Sequence, residues 1–261
     1  MSHQVEVVEI LPLHVPLKRP FQIASTRLNE VQNIAIAIGL DSGATGLGEI
    51  ATLFPVTADR FDSALEAARS LAEWLQDQVF EDESSLIWAL RNQESARPAI
   101  AAGFEMAILD AVATEKQLPL HRLFGTAHSP VLTNMTIPIC EPTLCFDLAQ
   151  EYQSQGFETL KIKVGLSLEH DIACVRALKE AHPDCRIIAD ANAGFTVNES
   201  HRFLDALGKE GIQIDLFEQP VARDALPELF ELSQRGDTLV AADESCRSVE
   251  DAKRLADSQS V

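Results

Sequence analysis

Five charged side chains sit where apolar runs end, and their types could do chemistry together. They are Lys161 and Lys163 in Thr-Leu-Lys-Ile-Lys-Val, Asp190 in Ile-Ile-Ala-Asp-Ala-Asn, Glu218 in Leu-Phe-Glu-Gln-Pro, and Asp243 in Val-Ala-Ala-Asp-Glu-Ser. A spacing of two puts both lysines on one face of a strand, and the same period sets Asn192 beside Asp190. In parallel α/β folds ligands gather at the carboxyl ends of strands. Three carboxylates from three successive strands would there converge on a hard cation such as Mg²⁺. A single acid at a strand end is more often a helix N-cap or a loop charge; three at even spacing on consecutive predicted strands favour a shared site. The lysines have two other readings. They could be gatekeepers on an edge strand, or one could form a Schiff base, chemistry that needs no carboxylate triad.

The elements that must hold these residues are readable from periodicity. Lys163, Asp190, Glu218 and Asp243 follow one another at intervals of 27, 28 and 25 residues, the step that repeated βα units produce. The predicted strands are 132–139, 159–164, 186–191, 214–219 and 238–243, separated by helical stretches near 144–155, 167–181, 197–210 and 223–234. A doubly wound sheet and a (β/α)8 barrel both satisfy that rhythm. The first part of the chain differs. Strand-like segments at 5–13, 31–40 and 45–51 surround the turn Asp41-Ser42-Gly43, which predicts an antiparallel hairpin. An apolar face at Phe61, Leu65, Ala68, Ala72 and Leu75 then predicts a helix with Thr57 or Asp59 as N-cap. A second helix is expected over 97–116, with Pro98 in its first turn. The expected organisation is an α+β domain over 1–125 followed by a βα-repeat domain over 126–261.

Composition narrows the partners. Hydrophobic residues make up 46% and charged ones 23% of the 261 residues, enough to bury a large core. Forty acidic against 21 basic residues give a formal charge of −19, a field that repels phosphate backbones and argues against nucleic acid. Five cysteines with no C-x-x-C pair argue against a disulfide framework or a zinc knuckle. The start lacks the pattern of a signal peptide and no run is long enough to span a membrane, so a soluble, cytoplasmic protein is expected.

Together, Lys161-Ile162-Lys163, Asp190-Ala191-Asn192, Glu218-Gln219-Pro220 and Ala242-Asp243-Glu244-Ser245 resemble the enolase superfamily, muconate-lactonizing subgroup. Asp41-Ser42-Gly43 with Gly46, Gly48 and Glu49, and Ala107-Ile108-Leu109-Asp110, resemble that subgroup's capping domain. Thr133 to Pro138 and Ala241 to Ser245 look most like the dipeptide epimerases of the L-Ala-D/L-Glu type. The resemblance implies a capping domain followed by a (β/α)8-type barrel. It also implies abstraction of the proton next to a carboxylate, with Mg²⁺ stabilising the enediolate that results.

Carried over by position, Asp190, Glu218 and Asp243 would bind the metal and Lys163 would be the base on one face. Lys161 would lower the Lys163 pKa and help hold the substrate carboxylate. Asn192 and Glu244 would support the ligands from behind, and Thr136 would touch substrate. The segments Phe21–Arg27 and Thr52–Thr57 look like the loops that close over the barrel mouth, with Arg27 a partner for a substrate carboxylate. Muconate cycloisomerisation and o-succinylbenzoate synthesis share the triad and stay open, as does a homo-oligomeric assembly. Five barrel strands are readable where eight are expected, and the family's second lysine would fall beyond Val261. The expectation is an incomplete barrel bearing one of the two acid–base groups. Such a chain would exchange a proton without inverting the centre, or would be a catalytically silent fragment.

Overall fold

A computed structural model describes residues 2–24, 26–54, 57, 59–93, 95–125 and 131–258. The chain separates into two compact units, Met1–Lys18 with Asn29–Ser129, and Arg19–Leu28 with Pro130–Val261.

The first unit is built on β1 (His3–Ile23) as far as Lys18, β2 (Thr26–Leu40) from Asn29, β3 (Thr45–Ile50) and β4 (Val79–Phe80), in the sheet order β3-β2-β1-β4. The expected hairpin is present: β2 and β3 pair antiparallel, with Ile34 opposite Ile50 and Gly39 opposite Thr45. Gly43 turns the chain at φ +82°, a conformation that suits glycine. Alternating Ile34, Ile36, Ile38 and Leu40 turn one face of β2 into the core. Helices α1 (Phe61–Leu75), α2 (Glu83–Arg91) and α3 (Pro98–Glu115) supply the rest, with Leu71, Leu75, Leu90, Phe104 and Ile108 in the same cluster. Gly46 and Gly48 explain themselves here. A Cβ on Gly48 would lie 2.0 Å from the Gly103 carbonyl oxygen, so β3 can meet the α3 backbone only through glycine. Asp110 fixes that contact by accepting the Leu47 N–H at 2.9 Å.

The expected N-cap of α1 is wrong. Arg60 holds that position and its side chain makes no capping hydrogen bond among the described residues. Asp59 is buried and committed to an ion pair with Arg97 at 2.5 Å, and the Thr57 hydroxyl accepts instead from Leu53 N–H at 2.8 Å. Helix α2 went unread because it is short; its signal is Asp82, whose carboxylate accepts from Ser85 N–H at 2.9 Å.

The second unit carries five parallel strands in sequence order: β5 (Met135–Ile137), β6 (Thr159–Lys163), β7 (Arg186–Asp190), β8 (Leu216–Glu218) and β9 (Leu239–Ala241). Helices α4 (Pro142–Ser154), α5 (Leu168–Ala181), α6 (Val197–Gly208) and α7 (Leu226–Ser233) connect them, and α8 (Val249–Ser258) follows. One face of the sheet, with Leu160, Ile162, Ile187, Ala189 and Phe217, is buried against Leu148, Val175, Leu178 and Phe203 of the helices. Phe195, Phe203 and Phe217 stack at centroid distances of 5.5–6.1 Å. The opposite face carries Lys161, Lys163, Ile188 and Glu218, each half-buried. The expected fold class, an α+β domain ahead of a run of about five parallel βα strands, is the observed one. Among the described residues no helix is long and apolar enough to cross a membrane.

Candidate active site and cation centre

Strand register assembles the site. Lys163 pairs across the sheet with Asp190, and Asp190 with Glu218, so three adjacent parallel strands end in one row of charged side chains. Lys161 stands two residues earlier on the same face, beside Thr136 of β5. Strand β6 lies between β5 and β7 and is no edge, which removes the gatekeeper reading of its lysines.

The two ammonium groups meet at one carboxylate. Lys163 Nζ donates to Asp190 Oδ2 at 2.6 Å and to Asn192 Oδ1 at 3.0 Å. Lys161 Nζ lies 2.8 Å from the same Asp190 oxygen and donates to both Glu218 oxygens at 2.7 and 2.8 Å. An ammonium held by three carboxylate oxygens marks where a hard cation would find its donors. Asp190 is fully buried. Burial pushes its carboxyl up, but the charges and hydrogen bonds of Lys163 and Lys161 outweigh that and hold it below the usual range. Burial pulls the Lys161 ammonium down, while its bonds to Asp190 and Glu218 hold it above the ordinary lysine value. Glu218 is raised by burial and by the neighbouring charges of Asp190 and Asp243, against the lowering effect of Lys161.

The third carboxylate is held differently. Asp243 is exposed two residues beyond β9, close enough to raise Glu218. As the side chains stand, no three His, Cys, Asp or Glu among the described residues are grouped to hold a metal ion, and Lys161 bridges Asp190 and Glu218. Glu244 beside Asp243 accepts from Asn192 Nδ2 at 3.2 Å through Oε1, while its buried Oε2 finds no partner among the described residues. Burial raises the Glu244 carboxyl. Asp190, Glu218, Asp243 and Glu244 against Lys161 and Lys163 leave formally two negative charges, which one divalent cation cancels. The all-oxygen donor set and the orphaned Glu244 oxygen both fit such an ion.

The backbone around these groups is unusual. Asn192, Ala193 and Gln219 adopt positive φ angles of +43°, +63° and +36°, conformations that ordinary residues enter at a cost of about 1–3 kcal/mol. Cross-strand bonds hold them there, with Ala193 N–H on Gln219 O at 2.8 Å and Gln219 N–H on Ala241 O at 2.8 Å. Gln219 and Ser245 stand in the resembling motifs without a role that their type or spacing assigns. A glutamine between a charged strand end and a proline was the available signal, and both residues prove fully buried.

The remaining expected residues are more scattered. Thr136 is half-buried on β5. Arg27 is exposed on β2, and no hydrogen bond or ion pair of its side chain is found among the described residues. Of the segment 21–27, the described residues include the end of β1 and the start of β2, and Gln22 O accepts from Ile139 N–H at 2.9 Å just beyond β5. In 52–57, Thr52 N–H donates to Asn33 Oδ1 at 3.2 Å. Ser25, Pro55, Val56 and Val261 lie outside the described residues.

Comparison with known proteins gives the site a context. Residues 5–125 match the model of the mandelate racemase/muconate lactonizing enzyme N-terminal domain, and residues 145–261 match that of the enolase C-terminal domain-like family. The hydrophobic dipeptide epimerase of Citrifermentans bemidjiense is 33% identical over 100% of this chain and 73% of its own length. The chain belongs to the enolase superfamily. An L-Ala-D/L-amino acid epimerase of Populus trichocarpa is 42% identical over 96% of this chain, which spans 61% of that protein's length. Among solved structures, the dipeptide epimerase of Enterococcus faecalis V583 complexed with Mg and L-Leu-L-Tyr superposes with a TM-score of 0.91. It shares 29% identity, over 99% of this chain and 73% of that one.

Proposed function

We propose that this enolase-superfamily chain carries the cation ligands and a proton-abstracting lysine of a Mg²⁺-dependent dipeptide epimerase, which moves the proton on the carbon next to a carboxylate. The observation that carries the reading is the Lys161 ammonium lodged between Asp190 and Glu218, with Lys163 on the same strand face. Relatives named as dipeptide epimerases, one of them solved with Mg and a dipeptide, support it.

In this reading Asp190, Glu218 and Asp243 hold the ion, which when bound supplies the positive charge that stabilises a developing carboxylate-derived anion. Lys163 Nζ takes the α-proton on one face of the substrate. Lys161 offers its ammonium to the substrate carboxylate, and Asn192 ties Lys163 to Glu244 so that base and ligands keep one geometry. Thr136 lines the substrate on the β5 side, and Arg27 takes a carboxylate of the dipeptide in a bidentate pair. Residues 126–261 supply about five strands of a (β/α)8-type barrel domain that follows the 1–125 capping domain, in a cytoplasmic enzyme that assembles as a homo-oligomer.

The test offers L-Ala-L-Glu, a muconate and an o-succinylbenzoate precursor to the chain in D₂O with Mg²⁺, read by mass spectrometry. Deuterium entering only the dipeptide supports the epimerase reading. Turnover of either other acid assigns the site to that reaction, and no turnover of any by a folded, Mg²⁺-binding chain makes it a silent fragment.

A further inference from the structure

The Asp243 carboxylate has to stand at one place relative to Glu218 if both are to hold one ion. Yet no hydrogen bond or ion pair of the Asp243 side chain is found among the described residues, and the residue is exposed. What fixes it is behind it. Gln219 is fully buried, and its carboxamide uses its whole bonding capacity. Its Oε1 accepts from Asp243 N–H at 2.9 Å and from Ser245 N–H at 3.0 Å. Its Nε2 donates to Ser245 Oγ at 2.8 Å and to Val221 O at 3.0 Å. The Ser245 hydroxyl in turn donates to Arg223 O at 2.7 Å. Because Gln219 follows Glu218 directly in sequence, one side chain ties the segment bearing Asp243 to the strand bearing Glu218.

We propose that Gln219 is a positioning residue for the cation site, its buried carboxamide setting where the Asp243 carboxylate stands relative to Glu218. The inference rests on the cation reading given above. The geometry explains why an amide is needed. Two N–H groups converge on one oxygen while two acceptors face the nitrogen, and no apolar or hydroxyl side chain meets both demands. It also accounts for the left-handed backbone at Gln219, a cost that persists only where surrounding bonds over-determine it.

The test measures Mn²⁺ affinity by electron paramagnetic resonance on the full 261-residue chain without substrate, alongside urea melts in EDTA. Gln219→Leu should bind Mn²⁺ about 10–100-fold more weakly than the parent, the range expected when a group that orients a ligand is lost. Gln219→Glu, which keeps the doubly accepting oxygen, should recover part of that affinity. Leu232→Ala, a cavity in the buried cluster behind β9, should lower stability and leave Mn²⁺ affinity within about twofold of the parent, against the 10–100-fold expected at Gln219. If Gln219→Leu does not fold, Ser245→Ala carries the test, with a severalfold loss of affinity expected. A variant that folds and binds Mn²⁺ as the parent does overturns the positioning role. A Leu232→Ala loss matching that of Gln219→Leu does so too, because the effect would then be general destabilisation. A parent that binds no Mn²⁺ overturns the cation reading itself, which separates the two failures.

Discussion

Replacing Asp190 by asparagine probes the centre of the charge network with almost no change of shape. Asp190 Oδ2 receives Lys163 at 2.6 Å and stands 2.8 Å from Lys161 Nζ, while Oδ1 accepts Asn192 N–H at 3.0 Å. An amide cannot satisfy both sides. In one orientation its NH₂ faces two ammonium groups, and in the other it faces the Asn192 N–H. Removing one partner of a buried ion pair costs about 3–5 kcal/mol. Lys161 keeps Glu218 and Lys163 keeps the Asn192 side chain, so the lower end, about 3 kcal/mol, is expected for Asp190→Asn in EDTA. At about 2–4 °C per kcal/mol for a chain near this size, Tm should fall by about 6–12 °C. Adding Lys163→Met should return part of the loss, because the unpaired ammonium goes with it. Urea melts of the four proteins in this double-mutant cycle give the coupling energy. A loss below about 1 kcal/mol, the range of surface pairs, would refute the claim that Asp190 is the buried anchor of both lysines.

Asp243→Asn, in contrast, should leave stability in EDTA nearly unchanged because its side chain is exposed, while abolishing the rise in Tm that Mg²⁺ gives the parent; a variant that gains as much as the parent would remove Asp243 from the ligand set. Phe203→Ala removes the buried centre of the Phe195–Phe203–Phe217 stack and should cost about 3–5 kcal/mol by urea melt, with a value near 1 contradicting the packing described. Asp171 accepts Gly165 and Ser167 N–H groups, and burial raises its carboxyl. A folded pKa above the unfolded one, near 3.9, means its contribution is complete below that value and lost as pH rises through the folded pKa. The stability of the parent relative to Asp171→Asn should therefore fall as pH climbs from about 4, and a difference that rises would reverse the assignment.

Much of this was legible because βα units repeat at nearly constant length. The intervals between Lys163, Asp190, Glu218 and Asp243 located strands β6 to β9 to within a few residues, and the period of two put Lys161 and Lys163 on one face. Short elements escaped. Strand β4 is two residues long and α2 nine, too little for periodicity to register. The cap of α1 was misread because Asp59 has a stronger partner, Arg97, 38 residues away in the chain. The site showed the same split. Charged residues at strand ends announced themselves, whereas Gln219 and Ser245 act through backbone N–H groups that leave no trace in composition. Nor did spacing reveal that Lys161 would reach both Asp190 and Glu218, since that depends on how three side chains fold over one strand row.

The central claim, that Lys163 and the carboxylate row move an α-proton, is tested most directly by exchange in D₂O. The α-proton signal of L-Ala-L-Glu is followed by proton NMR with the parent chain and with Lys163→Ala, each in Mg²⁺ and in EDTA. The account predicts loss of that signal with the parent in Mg²⁺ alone, and slowing of at least about 10²-fold when the general base is removed. Exchange that continues undiminished in Lys163→Ala, or that proceeds equally in EDTA, would contradict it.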